Sequence, residues 1–240
     1  MEALLLRLDA PLVAFGGPAV DENRTTMAFP GRSLLTGLLG NALGYDHRDH
    51  EALSRLQRRL RHAVREDHPG VPLVDYQTVD LSQPFLQGGW TTRGAPESRG
   101  GASAEGTHIK YAHYLADAVF TVALTLTPTD EAPTLDALEA ALRSPERPLF
   151  IGRKCCLPSS TMALGRVTAG SLAEALQRAP LSSRAPQDER SFLAWWPADE
   201  ASELPSELIT VTDERDWDNQ IHGGRRWMRR GKLTLQGGAP

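Results

Sequence analysis

Apolar and polar positions divide the chain into a patterned first part, a long gap without periodicity, one strong β segment and a weaker tail. Leu4, Leu6 and Leu8 alternate with Leu5 and Arg7, which predicts a short strand with one strongly apolar face, ended by Pro11 and the cluster Phe15-Gly16-Gly17-Pro18. After a polar loop over 21–26, Leu34, Leu35, Leu38, Leu39, Ala42 and Leu43 recur at helical spacing, with Ser33 placed to cap the helix and Gly44 to close it. Gly37 and Gly40 lie inside that helix. Each costs ~1 kcal/mol relative to alanine, which implies close packing on a sheet. A second helix is expected over 51–64, with Leu53, Leu56, Leu60 and Val64 inside and arginines outside; 73–81 reads as a strand.

From Ser82 to Gly106 the periodicity vanishes into glycine, serine and threonine, and a segment of that length without a core of its own is either functional or disordered. Order returns at His108. Asp117 to Leu126 has the strongest strand pattern, Thr134 caps a helix through Arg143, and Leu149-Phe150-Ile151 reads as a further strand before Gly152-Arg153-Lys154. Ser171 with Glu174 forms a capping box for a helix to Arg178. A polar linker over 180–190 and weak strands at 192–196, 208–211 and 233–235 complete the chain.

Setting aside the extra helix and the insertion, the order through residue 151 is strand, helix, strand, strand, helix, strand. That predicts an α+β, ferredoxin-like (RRM-like) domain over 1–155, with a long insertion at about 82–113, and a smaller β-rich C-terminal subdomain over 156–240. RNA-recognition domains of this shape bind nucleotides on the helix-free face of the sheet. Their aromatic stacking motif is absent here, so shape alone assigns no function.

With 240 residues, 40% hydrophobic and 23% charged, the composition is that of a globular protein. No apolar run approaches the ~20 residues a membrane helix needs, and the N-terminus has no basic stretch ahead of its short apolar run, so a cytoplasmic chain without a secretory signal is expected. Cys155 and Cys156 are adjacent and have no CxxC spacing, which leaves no zinc motif; neither metal nor cofactor is expected. The net charge of −4 excludes a uniformly basic coat. The cations are segregated, however, and almost all are arginines, whose planar forks suit phosphate oxygens.

Four segments carry candidate chemistry. Phe29-Pro30-Gly31-Arg32-Ser33 opens a helix, where free N–H groups and the dipole favour a phosphate, with Arg24 and Thr25 within reach. Thr107 to Tyr114 contains His108, Lys110, Tyr111 and His113, which suit RNA binding or, in the right geometry, metal-independent cleavage. Gly152-Arg153-Lys154 after a strand suits a phosphate clamp, and in Arg225-Arg226-Trp227 cations flank an aromatic that is either a stacking platform or core. No carboxylate pair, HExxH or nucleophile elbow is present, so an enzyme acting on small phosphate compounds is the weakest reading.

These segments, in this order, resemble the CasD-type subunits of the type I-E CRISPR Cascade complex, members of the RAMP superfamily. The likeness rests on Leu6-Arg7-Leu8-Asp9-Ala10-Pro11-Leu12, Phe15-Gly16, Arg24-Thr25 and Phe29 through Gly40, then on 75–79, 114–120 and Phe150-Ile151-Gly152-Arg153-Lys154; Ala10 and Phe15 depart from the family's usual glycine and tryptophan. The resemblance implies a RAMP domain whose insertion is a β-hairpin thumb. It further implies a non-catalytic subunit in antiviral defence that holds the five-prime handle of the CRISPR RNA. Its partners would be that RNA, a backbone subunit at the thumb, a large PAM-reading subunit and, indirectly, target DNA. RNA contacts are expected from Arg24, Thr25, Arg32, Ser33, His108, Lys110, Tyr111, Arg153, Lys154, Arg225 and Arg226. A related branch of the family cleaves repeat RNA with Tyr, Lys and His, so Tyr45, His108, Lys110 and His113 are the candidates for an endoribonuclease alternative.

Overall fold

The computed structural model describes residues 1–18, 22–46, 48–80, 106–200 and 203–236, together with the backbone of 88–90 and 96–98. The elements in the first half are β1 (Glu2–Asp9), β2 (Leu12–Val13), β3 (Asn23–Arg24), α1 (Arg32–Ala42), α2 (His50–Arg59), β4 (Leu60–His68), β5 (Val71–Asp80), β6 (Gly88–Trp90), β7 (Pro96–Ser98) and β8 (Thr107–Ala116). The second half supplies β9 (Val119–Leu126), α3 (Leu135–Arg143), β10 (Ala163–Thr168), α4 (Leu172–Arg178), β11 (Ser191–Pro197), β12 (Ser206–Val211), β13 (Glu214–Asp216), β14 (Ile221–Gly223) and β15 (Arg226–Thr234).

β9 organises the sheet. All eight of its residues are buried, so both faces are covered and the strand is central. Phe120, Val122, Leu124 and Leu126 point into the larger core with Leu4, Leu6 and Leu8 of β1 and the apolar sides of α1 and α3. Ala123 points the other way, onto Leu5, Ala63 and the apolar side of α4. β1 and β4 flank β9 in antiparallel register, and the seven-stranded sheet runs β10-β1-β9-β4-β11-β15-β12. The segment beyond residue 155 contributes β10, β11, β12 and β15 to this sheet and Trp195, Val211 and Met228 to the larger core.

The helix starts at α3 and α4 follow the expectation: the Thr134 hydroxyl accepts from Ala137 N–H and the Ser171 hydroxyl from Glu174 N–H. Glu174 closes its half of the box on Gly170 N–H rather than on Ser171. Three expectations need correction. Helix α2 stops at Arg59, and 60–64 belongs to β4. Leu56, Leu60 and Val64 satisfy helical spacing, but Leu60, His62 and Val64 equally satisfy a period of two, and the ladder to β9 decides. The strand over 73–81 exists as β5, but it pairs with β8 in a separate sheet, so the main-sheet partner of β9 is β4. Leu149-Phe150-Ile151 is not a strand. The chain turns there at Gly152 (φ +96°), and the strand that joins β1 is β10, an edge strand whose half-exposed sequence ALGRVT gives little signal.

β5 and β8 form a ten-pair antiparallel hairpin from Val71↔Ala116 to Asp80↔Thr107. Of the expected insertion at 82–113, residues 107–113 belong to β8 and 88–90 pair with 96–98; 82–87, 91–95 and 99–105, including Arg93 and Arg99, fall outside the described residues. The hairpin carries Tyr76 and Tyr111 as a cross-strand pair, ring centroids 5.4 Å apart, both exposed. Among the described residues no helix is long and apolar enough to cross a membrane.

The second core face encloses a charge pair. Arg65, 0% exposed, donates from Nε to Asp67 Oδ1 (2.6 Å) and from Nη1 to the carbonyls of Leu176 (2.5 Å) and Ala179 (3.0 Å). Asp67 Oδ2 accepts from Thr121 Oγ1 (2.8 Å) and Ser182 N–H (3.2 Å). The pair thus ties β4 and β9 to the end of α4 and the loop after it. Removing one partner strands the other charge in the core. Asp67→Ala is therefore expected to lower unfolding free energy by about 3–5 kcal/mol, read from the urea midpoint at constant m-value.

Candidate nucleic-acid interface

The start of α1 differs from expectation in its cap. Gly31, extended at ψ 171°, is the N-cap, and it offers no side chain. The first free amides are instead taken by Asp213, from the loop between β12 and β13: Oδ2 accepts from Arg32 N–H (2.7 Å) and the carbonyl oxygen from Ser33 N–H (2.8 Å). A Cβ at position 31 would lie 2.7 Å from that of Asp213, so only glycine allows this approach. A carboxylate of the chain itself thus occupies the place where a phosphate was expected.

The arginines around it are paired as well. Arg226 grips Asp213 bidentately (Nε–Oδ1 2.7 Å, Nη2–Oδ2 2.6 Å) and approaches His62 Nε2 at 3.3 Å, while Arg32 Nη1 meets Glu214 Oε1 at 2.5 Å. Burial pushes the His62 imidazole well below its usual value, and repulsion from Arg226 adds to this. Burial alone would raise the Asp213 carboxyl, but the bonds and charge of Arg226 outweigh it and hold that group below the usual carboxylate range. Ser33 caps nothing; its hydroxyl lies 3.3 Å from His222 Nε2.

Beside this network opens a cavity of about 760 Å³ between the outer side of α1, the β13–β14 hairpin and the segment 147–157. Trp217 lines it, with Nε1 anchored on Gln57 Oε1 (3.1 Å) and the Arg215 guanidinium 5.5 Å from its ring centroid. Leu34, Phe150 and Leu157 add apolar surface. Ser33, His222 and Tyr45 add polar atoms, and Lys154, Arg147 and Arg215 bring cations. The 152–154 turn is packed against the N-terminal segment: Ala14 N–H donates to Ile151 O (3.2 Å), and a Cβ on Gly152 would reach 1.7 Å from Ala14 O. Arg153 donates to His113 O (2.8 Å) and Arg24 O (2.7 Å) and lies 4.5 Å from the centroid of the Tyr114 ring.

The expected residues therefore separate into groups. Arg24, Arg153 and the backbone of His113 meet, and Ser33, Lys154 and Tyr45 share the cavity. Arg32 and Arg226 face carboxylates. On β8 the alternation puts His108 and Lys110 on the face of Ala112 and Tyr114, with Tyr111 and His113 on the opposite face. The cavity that Tyr45 lines includes none of His108, Lys110 or His113, so the four nuclease candidates are not gathered around it. Thr25 and Arg225 are exposed, and Trp227 is 54% exposed, so it is a surface residue rather than core. Among the described residues, no carboxylate lies in ion-pair range of Arg24, Arg147, Arg153, Lys154 or Arg215, whereas Arg59, Arg61 and Arg65 all have acidic partners. Asp213, Arg215, Trp217 and His222 had no local signal. The only hint was an acidic pair at 213–214 followed at hairpin distance by the Arg225-Arg226 pair.

Residues 3–229 match the family described as "CRISPR-associated protein (Cas_Cas5)". Over 173 residues, 72% of this chain and 75% of the relative, the sequence is 35% identical to "CRISPR system Cascade subunit CasD" of Escherichia coli (strain K12). Among solved structures it is similar to a chain of a "CRISPR RNA-guided surveillance complex" (TM-score 0.67, 27% identity, 97% of this chain and 90% of that one). It is also similar to one titled "Crystal structure of Cas protein" (TM-score 0.65, 28% identity, 99% and 100% covered).

The His62 environment sets a sign for acid stability. The folded protein keeps His62 neutral, while the unfolded chain binds a proton there below about pH 6.5. Stability is therefore lost as pH falls from that value. His62→Gln, which can still accept from Arg226, is expected to flatten the decline of unfolding free energy between about pH 7 and 5 by up to one proton, about 1.4 kcal/mol per pH unit, in urea titrations at each pH.

Proposed function

Because the chain belongs to the CRISPR-associated Cas5 family, we propose that it is a structural, non-catalytic subunit of a type I-E CRISPR surveillance complex that holds the five-prime handle of the CRISPR RNA. The observation that carries this reading is a set of cations with no acidic partner among the described residues: Arg147 and Lys154 at the cavity beside α1, and Arg153 next to Lys154, bonded to the Arg24 carbonyl. They supply the sequence-independent attraction to phosphates that positions a strand. Thr25 and Arg225 extend the set as exposed groups, and Ser33 offers a hydroxyl at the cavity. Arg32 and Arg226 act through Glu214 and Asp213, by holding the C-terminal segment in place.

The strand order β10-β1-β9-β4, with α1 and α2 in one crossover and α3 in the other, supports a ferredoxin-like RAMP body. In this reading 156–240 is its C-terminal extension. The β5–β8 hairpin is the base of the thumb, and its exposed Val74, Tyr76, Ile109 and Tyr111 face the backbone subunit, with His108 and Lys110 near the RNA. The large PAM-reading subunit is a further neighbour, and target DNA is reached only through guide pairing, in the cytoplasm. Cleavage would require a base and an acid at one phosphodiester. None of His108, Lys110 and His113 lines the cavity that Tyr45 lines, and His113 lies on the opposite face of β8 from His108 and Lys110, which supports holding over cutting.

The purified chain, or the complex containing it, is expected to retain RNA that stays intact in EDTA, with affinity falling linearly in log salt. Lys154→Ala is expected to reduce the slope by about one and weaken binding similarly for all sequences, measured by anisotropy of labelled repeat RNA. Loss of full-length repeat RNA in EDTA, abolished by His108→Ala or Lys110→Ala, would establish the nuclease instead; absence of any bound RNA would overturn both.

A further inference from the structure

We propose that the cavity beside α1 receives one unstacked nucleobase of the bound RNA, with the adjoining phosphate on Lys154 and Arg147 at its edge. The inference rests on the RNA-holding reading and goes beyond it by assigning the cavity a base-sized role. The cavity, about 760 Å³, is ample for one nucleotide, and its surface combines apolar walls from Leu34, Phe150 and Trp217 with three cations against the single carboxylate of Asp46. A flat aromatic group carrying a negative charge matches that lining; RNA-binding proteins commonly recognise bases that have left the stack.

Two details make the site specific. Trp217 is held rigidly by Gln57, so its position does not depend on a ligand, and Ser33 Oγ with His222 Nε2 forms a polar pair in the wall, suited to a base edge. Burial, reinforced by Arg215, holds His222 below its usual value, so near neutral pH its ring presents one donor and one acceptor. Gly37 forms part of the α1 wall of the cavity. Glycine is unfavourable within a helix, yet here a Cβ would meet only Trp217 Cη2, at an ordinary 3.5 Å. Packing therefore does not exclude a side chain at 37, and the effect of glycine is to leave the cavity open.

The test uses the RNA recovered with the protein, resynthesised with a single abasic residue at each position in turn, and anisotropy with the full chain. Wild type is expected to show one position at which base loss weakens binding about tenfold. Gly37→Leu, which improves helix propensity and fills the cavity, is expected to bind about tenfold more weakly with the salt slope unchanged and with that position no longer sensitive. Leu157→Trp, at an exposed position of the lining, checks the same outcome independently should Gly37→Leu not fold. Tight, salt-dependent binding with a flat abasic scan would overturn this inference while leaving the RNA-holding function standing. A flat scan together with AMP binding that Gly37→Leu abolishes would overturn it in favour of a free-nucleotide site. If no RNA is recovered, both readings fall.

Discussion

A helix start exposes amides that need acceptors, and at α1 the acceptor comes from 181 residues away. Asp213 satisfies those amides, receives both arms of Arg226 and sits beside Arg32 and the buried, neutral His62. Each group has an alternative state that is costly: an unmatched amide, a buried arginine without a counter-charge, a carboxylate out of water. Satisfying them together fixes the β12–β13 loop on the helix. That in turn carries Arg215, Trp217 and His222 to the side of α1, where they complete the cavity. The interaction that closes the expected phosphate site thus also builds the neighbouring cavity.

Much of the architecture was legible because single-period patterns admit one answer. β1 and β9 alternate, α1 repeats at helical spacing, and Thr134 and Ser171 cap helices as hydroxyls should. The α2–β4 boundary was not legible because Leu56, Leu60 and Val64 fit both periods, and only the register with β9 distinguishes them. β10 escaped notice as a half-exposed edge strand with a glycine inside it. In the site, Lys154 and Arg153 were legible as cations after a glycine turn. The cavity was not, since its walls come from four separated stretches and local sequence contains no record of their meeting. The helix start at Arg32-Ser33 was misleading for the same reason: its motif suits an anion, but the anion is Asp213.

An arginine count therefore says little about where a polyanion binds in this chain. Arg59 and Arg61, within the helix expected over 51–64, and Arg65 just beyond it are taken up by Pro128 and Glu131, by Asp199, and by Asp67. The exposed Arg61–Asp199 pair contributes little stability, whereas Arg59 and Arg65 are buried and need their partners to offset lost hydration. In each case the field outside the molecule is largely cancelled by the partner.

Arg153 differs in kind. Two carbonyl oxygens and the face of Tyr114 hold its guanidinium. Carbonyls and a ring quadrupole orient a cation and offset part of its desolvation, but they carry no net charge to cancel it. Arg32 is held as firmly, yet Glu214 neutralises it. Orientation without neutralisation is what a positioning contact for phosphate requires, since the strand then meets a fixed charge whose field is intact. On the RNA-holding reading, the same distinction reconciles a net charge of −4 with a polyanionic partner. In that reading the acids elsewhere repel the strand from most of the surface, and the cations between β3, β8 and the 152–154 turn that have no acidic partner among the described residues mark the proposed path.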